Sequence, residues 1–372
     1  MSDFRRILGY EYLKIFRRKI MWVSLGIMMG LSVLMVCLSD LGLDSDGQTI
    51  TQYIRENKHS EMQFEGKKVD DDFLEKYKEK EEPDGIRYLL FVLFNSDEIK
   101  SVTEEKLYAE RQKMLNENTE LYGLTEGERS YWEAREEKLE VPFTYAYTAG
   151  ERKLSAVFYT MVMLQIVFVA MVVSAIFADE QFRKMNQINL CCKYGKKKLY
   201  IAKITAGFTI ALAGTICLVL ASVLPILILY GFHGLNAQIQ IIFPVCSYPL
   251  TIGQVLLAQL VMLLAAALLE SAFAMFCAEK MKSSVGTMAV MVGILLLSAA
   301  VSIPEKFRIV SQIWTGIPSN AIAVWSFLDN RLIPLFGKYL TQMQVLPVVY
   351  VVIAAILTVA GYRSYKRFQV TK

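Results

Sequence analysis

Residues able to do chemistry are sparse and scattered in this sequence of 372 residues. It contains two histidines, His59 and His233, and neither belongs to an H-E-x-x-H zinc motif. The sequence has no G-x-x-x-x-G-K-[ST] phosphate loop and no G-x-S-x-G nucleophile elbow. Acidic pairs between residues 39 and 155 alternate with lysines at helical surface spacing, which is typical of a solvated face. We therefore predict no catalysis, cofactor or metal on this chain.

The six cysteines form no recognisable framework: Cys37, Cys191, Cys192, Cys217, Cys246 and Cys277. None lies between residues 39 and 155, so this polar stretch has no disulfides. No pair has the flanking Cys or His spacing of a zinc site. The adjacent Cys191 and Cys192 would suit lipidation or redox chemistry, but we interpret them as small semi-polar residues near a membrane surface.

Apolar residues are concentrated in long blocks, with a hydrophobic content of 54% and a mean hydropathy of +0.35. Blocks of about 20 residues match a hydrocarbon core about 30 Å thick. Only a helix satisfies its own backbone polar groups there. We predict an all-α polytopic membrane protein with six transmembrane helices, at 20–38, 156–178, 200–230, 251–277, 284–303 and 345–361. The first block exceeds an ordinary signal peptide and no A-x-A-like site follows it, so we expect it to be retained.

Charge divides the chain between two sides of a membrane. The segments 1–19, 179–203, 279–283 and 362–372 together hold 19 of the 40 lysines and arginines and five acids. Residues 39–153 hold 28 acids and 17 bases. The positive-inside rule makes both termini and the basic loop cytoplasmic and the acidic region exterior. The basic residues are expected to meet the lipid bilayer, not a nucleic acid.

Glu270 is the charged residue of interest inside the predicted spans. It lies within the fourth span, where an ionised carboxylate costs about 3 kcal/mol on insertion scales. It must therefore face a cavity, a partner helix or a basic residue, or be protonated. Two interpretations remain open at this point: a pathway or gating residue, and a structural polar contact that reaches toward the nearer interface.

The predicted exterior domain, 39–155, is acidic and mostly helical. Its one strongly apolar stretch, 86–94, is too short to span a bilayer and should form the core. Helix-capping patterns predict starts at Asp70 to Asp72, at Thr103, and at Thr125 with Glu128 at the capping-box spacing. A short hairpin turning at Gly66 and Lys67 should precede the first of these helices.

Residues 311–328 are apolar enough to suggest a seventh span. That span would move the basic tail, 362–372, to the exterior and break the charge rule. The segment also contains Gly316-Ile317-Pro318, a poor helix interior. We therefore predict a re-entrant or interfacial helical hairpin within the exterior region 304–344, with Trp314 and Trp325 at headgroup depth.

The N-terminal segment 1–19 carries apolar residues at a spacing of three and four, among many basic residues. This pattern predicts a helix lying in the cytoplasmic interface. The alternative is an unstructured basic flank that only sets topology. Together with the loop lysines it supplies the predicted membrane-surface residues: Arg17, Arg18, Lys19, Lys196, Lys197 and Lys198.

The loop 179–199 is long, patterned and basic. Phe182, Met185 and Ile188 share one side at helical spacing, which predicts a short amphipathic helix. Asp179 and Glu180 would lie in its first turn, where the helix dipole favours acids. Such a helix, joined to two spans, could receive force from a soluble partner. The alternative is that the loop is a basic linker that contacts lipid headgroups. The predicted partner contacts are Asp179, Glu180, Phe182, Arg183, Met185, Asn186 and Ile188.

The order of these elements resembles the membrane (permease) subunits of type-2 (ABC-2) ATP-binding cassette exporters, especially bacterial ones. The similar elements are "YEYLKIFRRK", a large exterior insertion after span one, "ADEQ…YGKKKLYIAK", the "AEKMKSS" turn, an exterior re-entrant pair and "YRSYKRF". The resemblance covers nearly the whole chain and rests on the order of elements, because no single motif is diagnostic.

The resemblance implies an export role in a bacterial cell membrane. Two such subunits, identical or related, would form the path, and separate ATPase subunits would hold ATP and Mg. Residues 179–192 would be the coupling helix and 1–19 the connecting helix. The large exterior domain departs from the smallest family members, so the resemblance leaves open whether the substrate is a peptide, a lipid-linked molecule or an amphipathic toxin.

Two other classes of function compete with this interpretation. A membrane receptor or sensor would bind a ligand with the acidic exterior domain. It would need a cytoplasmic signalling domain, and the segment 362–372 is short for one. An intramembrane enzyme would need paired polar groups at membrane depth, and Glu270 is the one obvious candidate.

Overall fold

The structure is a computed structural model that describes residues 3–38, 50–80, 84–99, 101–182, 185 and 197–366. In chain order the helices are α1 (Asp3–Phe16), α2 (Lys19–Leu38), α3 (Ile50–Met62), α4 (Asp71–Lys80), α5 (Asp84–Leu93), α6 (Ser96–Ile99), α7 (Glu104–Leu121), α8 (Glu126–Glu136), α9 (Ala149–Val172), α10 (Ala175–Phe182), α11 (Lys198–Leu229), α12 (Ile252–Met281), α13 (Ser284–Ala300), α14 (Arg308–Thr315), α15 (Pro318–Ala321), α16 (Val324–Phe327) and α17 (Gln342–Lys366). Strands β1 (Ile333–Leu335) and β2 (Lys338–Leu340) form an antiparallel hairpin before α17.

Five stretches of the described chain are helical, apolar and long enough to cross a membrane. They are α2, the α9–α10 pair, α11, α12 and α17. The expectation of a mainly helical chain with several membrane-length helices is thus confirmed. The predicted span 284–303 corresponds to α13, an apolar helix of 17 residues. At 1.5 Å per residue it is about 25 Å long, so a sixth span stays a prediction.

The long helices pack around α12. It contacts α9, α11, α13 and α17, whereas α2 lies against α9 and α11. The interior is formed mainly by small and branched residues of α9, α11 and α12. Large apolar side chains cover the outer faces of α2 and α17, including Trp22, Ile27, Val352 and Ile356. Exposed apolar surface of this extent marks contact with a membrane or a partner.

Close approach of α11 to α9 depends on Gly214. A Cβ atom at this position would overlap the ring of Phe168 on α9. We expect Gly214→Ala to overpack this crossing and to lower the free energy of unfolding by about 1–3 kcal/mol. Gly293 on α13 is the control, because a Cβ there meets nothing within 4 Å. Detergent-titration unfolding should leave Gly293→Ala at or above wild type, and equal stability of the two variants would contradict this packing role.

Residues 50–147 form a helical domain with its own apolar core at one end of the bundle, here called the domain end. The predicted core stretch folds as α5 and buries Ile86, Leu89, Leu90 and Leu93. The predicted helix caps are confirmed. Asp70 Oδ1 accepts a hydrogen bond from the Phe73 N–H at 3.0 Å. Thr103 Oγ1 accepts one from the Lys106 N–H at 3.4 Å, and Glu128 Oε2 accepts one from the Thr125 N–H at 2.9 Å.

The predicted local hairpin at Gly66 and Lys67 is wrong. Gly66 does turn the chain with a positive φ of 76°, but Lys68 pairs with the distant Thr144. The Val69 N–H donates to the Phe143 carbonyl at 2.8 Å, and the Tyr145 N–H donates to Lys67 at 2.8 Å. The turn chemistry was visible in the sequence, whereas a partner strand some 75 residues away was not.

Buried ion pairs fasten this domain to the segments between the long helices. Arg111 donates to the carbonyls of Pro244 at 2.7 Å and Cys246 at 3.0 Å, and it pairs with Glu136. Glu128 pairs with Arg308 and accepts from the Leu332 N–H at 2.8 Å. Burial raises the pKa of Glu128, but these bonds outweigh it and hold the pKa below its usual value. The expectation that the domain's acids form a solvated face is therefore wrong for Glu128.

The region 304–344 is more broken than a helical hairpin. Residues 308–327 form the short helices α14, α15 and α16, none long enough to cross a membrane. The remainder contains the strands β1 and β2, so an all-helical region is wrong here. They turn through Phe336 and Gly337, whose φ values of 50° and 75° are both positive, as a tight two-residue hairpin requires. Whether this region is re-entrant stays a prediction.

Candidate functional site

The end of the bundle opposite the domain, here called the α1 end, contains three of the predicted partner contacts with described side chains: Asp179, Glu180 and Met185. Helix α10 follows α9 after a break at residues 173–174 and reaches Phe182. Met185 is helical and 42% exposed. Arg183, Asn186, Ile188, Lys196, Cys191 and Cys192 lie outside the described residues, and so does the side chain of Phe182. The amphipathic helix over 179–192 therefore stays a prediction.

A buried charge cluster lies at the base of this loop. Lys203 of α11 is 1% exposed, and its Nζ lies 2.9 Å from Glu180 Oε1 and 3.6 Å from Glu11 Oε2. It also donates to the Ile176 carbonyl at 3.0 Å. Lys14 of α1 donates to Glu11 and Glu180, both at 2.7 Å. Two lysines and two carboxylates thus join α1, α10 and α11 at one point.

A second ion pair fastens the same helices. Arg18, just before α2, lies 2.7 Å from Asp179 Oδ2 and donates to the Ala175 carbonyl at 3.2 Å. The prediction that Asp179 and Glu180 occupy the first turn of their helix is wrong, because α10 begins at Ala175. Their charges are met by basic side chains of α1, α11 and the α1–α2 turn instead of by the helix dipole.

This pairing changes the interpretation of the two acids. Glu180 is buried and contacts Lys14 and Lys203, so its carboxylate is held inside the chain and is not presented to a soluble partner. Asp179 keeps 39% of its side chain exposed. Burial lowers the pKa of Lys14, but the carboxylates of Glu11 and Glu180 outweigh it and raise the pKa above its usual value. Lys14 is therefore a permanent cation at neutral pH.

The predicted membrane-surface residues surround this cluster. Arg17, Lys19 and Lys197 are exposed. Lys198 begins α11 and lies 3.5 Å from Asp3, whose helix α1 packs along α11. The predicted N-terminal helix is therefore confirmed as a helix. Its position in a membrane interface stays a prediction.

Aromatic rings extend the same junction to the C-terminal helix. The ring of Tyr365 of α17 contacts Phe177 edge-to-face at a centroid distance of 6.1 Å and Tyr200 in a tilted arrangement at 5.4 Å. Tyr200 also donates to the Thr358 carbonyl at 2.7 Å. The sequence did not predict this contact, because Tyr362 and Tyr365 fall within the basic tail, 362–372, whose lysines and arginines dominate its pattern. A 3-residue spacing of tyrosines within that tail was the available signal.

Glu270 occupies the middle of the bundle. It is 5% exposed and lies about three turns before the end of α12 at Met281, because the helix continues past its predicted end. Gln165 of α9 donates to Glu270 Oε2 at 2.9 Å and accepts from Thr215 of α11 at 2.9 Å. Glu270 Oε1 is buried and accepts no hydrogen bond from any residue that the structure describes. The carboxyl therefore joins three helices and does not reach toward a helix end.

A cavity of about 330 Å³ adjoins this carboxyl. Its wall is formed by α9, α12, α13, α17, the start of α15 and the residue before it, with these residues: Ile166, Leu269, Glu270, Phe273, Met291, Ile294, Leu295, Ile317, Pro318, Ser319, Ile353 and Leu357. Cavities of this size hold small ligands in many proteins. The wall is apolar apart from Glu270 and Ser319.

The buried charge cluster at the α1 end is suited to mechanical linkage between helices. The cavity beside Glu270 is suited to ligand binding. Within the described ranges, no group of three or more His, Cys, Asp or Glu residues is arranged to hold a metal ion. Comparison of the sequence with protein-family models found no match, and the searches of curated proteins and of solved structures found no significant match either.

Proposed function

We propose that this chain is the membrane-spanning permease subunit of an ABC-2 type exporter in a bacterial cell membrane. It would move an amphipathic substrate outward, using ATP hydrolysed by a separate ATPase subunit. A second permease subunit, identical or related, would complete the path. In this proposal both termini are cytoplasmic and the domain at 50–147 is exterior.

The observation that carries the proposal is the buried charge cluster at the base of the basic loop. A motor that acts on residues 183–196 must transmit displacement to the long helices. Glu180 is held by Lys14 and Lys203, and Asp179 by Arg18. Separating buried ion pairs costs about 3–5 kcal/mol when one partner is left alone. Helices α1, α10 and α11 should therefore move as one body.

The path of that displacement follows from the packing. Helix α10 contacts α11, α12 and α13. Helix α9, which leads directly into α10, also packs against α2. A push on the loop would thus reach most of the bundle through side chains already in contact. The exposed Met185 would supply an apolar contact to the ATPase, as the resemblance implies for a coupling helix.

The test is co-expression with ATP-binding cassette ATPases from the same genome, beginning with any that is encoded beside this chain. Affinity capture of the tagged wild-type chain should retain the ATPase, and ATP hydrolysis should be measurable in lipid nanodiscs. Met185→Glu should reduce capture at least tenfold. Met62→Glu is the matched control, since Met62 is 41% exposed on the distant α3 against 42% for Met185.

Two results would overturn the proposal. One is failure of the wild-type chain to retain the ATPase under conditions in which both proteins are folded. The other is equal capture by wild type and the Met185→Glu variant together with unchanged ATP hydrolysis. Loss of capture by both methionine variants would show that the loss comes from damage to the fold. Met185 would then no longer be assigned to the contact.

A further inference from the structure

The cavity beside Glu270 lies between two helices that pack on α12 more than on each other. Helices α13 and α17 both contact α12, but they share no extensive contact. Ile294 of α13 and Ile353 of α17 line the cavity, and both are exposed on the outer surface of the bundle. The gap between these helices therefore leads from the apolar outer surface toward Glu270.

The chemistry of the wall is that of a cation site. Glu270 and Phe273 lie three residues apart on α12, which places them on one face of the helix. A carboxylate attracts an ammonium or guanidinium group directly. An aromatic ring face adds a cation–π attraction of about 0.5–2 kcal/mol, larger when water is excluded.

Glu270 also has unused bonding capacity. Gln165 satisfies Oε2, whereas Oε1 is buried and has no partner among the described protein atoms. An ionised carboxylate in apolar surroundings costs several kcal/mol unless it is paired. No lysine or arginine is found among the described residues that line the cavity. A bound cation would supply the missing partner.

The single acid determines which cation fits. A zwitterionic lipid headgroup would bring a phosphate into a wall that has no cationic or amide donor to receive it. A monocation attached to an apolar body matches both the single carboxylate of the wall and its otherwise apolar surface. Its charge would pair with Glu270 and its hydrocarbon would contact Leu269, Met291 and Leu295.

We propose that the Glu270–Phe273 cavity binds amphiphilic monocations, molecules with one ammonium or guanidinium group on an apolar body. The claim that these molecules are the substrates of the exporter rests on the function proposed above. Binding at the cavity needs no ATPase, so the cation site and the exporter function can fail separately.

The primary test uses the whole chain in phosphatidylcholine nanodiscs. Binding of 4-(1-pyrenyl)butylamine is followed by energy transfer from tryptophan, with dodecylamine as the displacing competitor. Glu270→Gln should weaken displaceable binding of the amine at least tenfold, because the amide keeps the acceptor for Gln165 but loses the charge. The neutral 4-(1-pyrenyl)butanol should bind both forms within about twofold.

The matched control is Glu279→Gln. Glu279 lies on the same helix and is 6% exposed against 5% for Glu270, but it does not line the cavity. This variant should bind the amine as wild type does. Nanodiscs that contain phosphatidylethanolamine should not compete. Strong competition by that lipid would identify the site as one for a lipid headgroup and would overturn the proposal.

A second measurement uses the unmodified chain and so does not depend on how Glu270→Gln folds. Dicyclohexylcarbodiimide adds a carboxylic acid across one C=N bond, and acyl transfer to nitrogen leaves a stable N-acylurea without any leaving group. Peptide mass spectrometry should find this adduct on Glu270. Dodecyltrimethylammonium, a monocation that cannot be acylated, should reduce it at least fivefold, whereas dodecanol should not.

The outcomes separate the two proposals. Equal amine binding by wild type and Glu270→Gln, or equal protection by the quaternary ammonium and the alcohol, would overturn the cation site. If the ATPase is nevertheless retained by the chain, the exporter proposal stands without it. If amine binding requires Glu270 but the chain retains no ATPase, the cation site stands and the exporter proposal is overturned.

Discussion

Lys203→Met should lower the free energy of unfolding by about 3–5 kcal/mol, because it leaves buried carboxylates short of a cation. The Nζ of Lys203 lies 2.9 Å from Glu180 and donates to the Ile176 carbonyl at 3.0 Å. Without it, the carboxylates of Glu11 and Glu180 would lose one of the two lysines that they contact and keep Lys14. Steric-trap or detergent-titration unfolding of the purified chain measures the change.

The double variant Lys203→Met with Glu180→Gln tests whether charge is the cause. Removing both partners should recover more than about 1 kcal/mol of the loss, since neighbouring charges couple strongly. Lys198→Met is the control, because its pair with Asp3 is 3.5 Å long and both side chains are about half exposed. Its cost should stay below about 1 kcal/mol. Additive losses in the double variant would contradict a specific ion pair.

If the exporter proposal holds, the Lys203 variants have a second readout. A loosened junction between α10 and α11 should leave ATPase capture intact while substrate ceases to stimulate ATP hydrolysis. Loss of capture would instead place Lys203 at the docking surface, which its 1% exposure argues against.

Arg331→Met should cost a similar amount at the domain end, about 3–5 kcal/mol. Arg331 and Asp329 each keep 3% of the side chain exposed. The Arg331 Nε donates to both carboxylate oxygens, at 3.0 and 2.9 Å, and Nη1 donates to Ser311 Oγ at 2.9 Å. Gln342, the first residue of α17, also donates to Asp329 at 3.2 Å. The variant would strand a buried carboxylate among these groups.

The location of this loss can be resolved by hydrogen exchange. Arg331 connects α14 to the start of α17, and the segment after α14 forms part of the cavity wall at Ile317 and Ser319. Exchange should therefore accelerate over residues 308–342 before it does in α9. The exposed Lys338 of β2 provides the control, and Lys338→Met should change neither stability nor exchange. Uniform acceleration over the whole chain would contradict a local role.

Much of the fold followed from local sequence. Runs of apolar residues fixed where the long helices lie, since a helix is the one element that satisfies its backbone in an apolar surrounding. The caps at Asp70, Thr103 and Thr125 were readable because a capping side chain and the amides it binds are three residues apart. The end of α12 was misjudged, because Glu279 and Lys280 looked like a boundary but lie within the helix.

What the sequence determined by itself was the class of molecule, the charge asymmetry along it, and Glu270 as an acid that needs an explanation. The tertiary structure alone decided which charges meet. Glu11, Glu180 and Lys203 belong to separate segments of the sequence, yet they form a buried cluster. The tertiary structure also places Phe273 and the segment at Ile317 around the same cavity as Glu270. The reason is physical: a cap or an apolar run is specified by neighbours along the chain, whereas ion pairs and cavities depend on which distant helices come into contact.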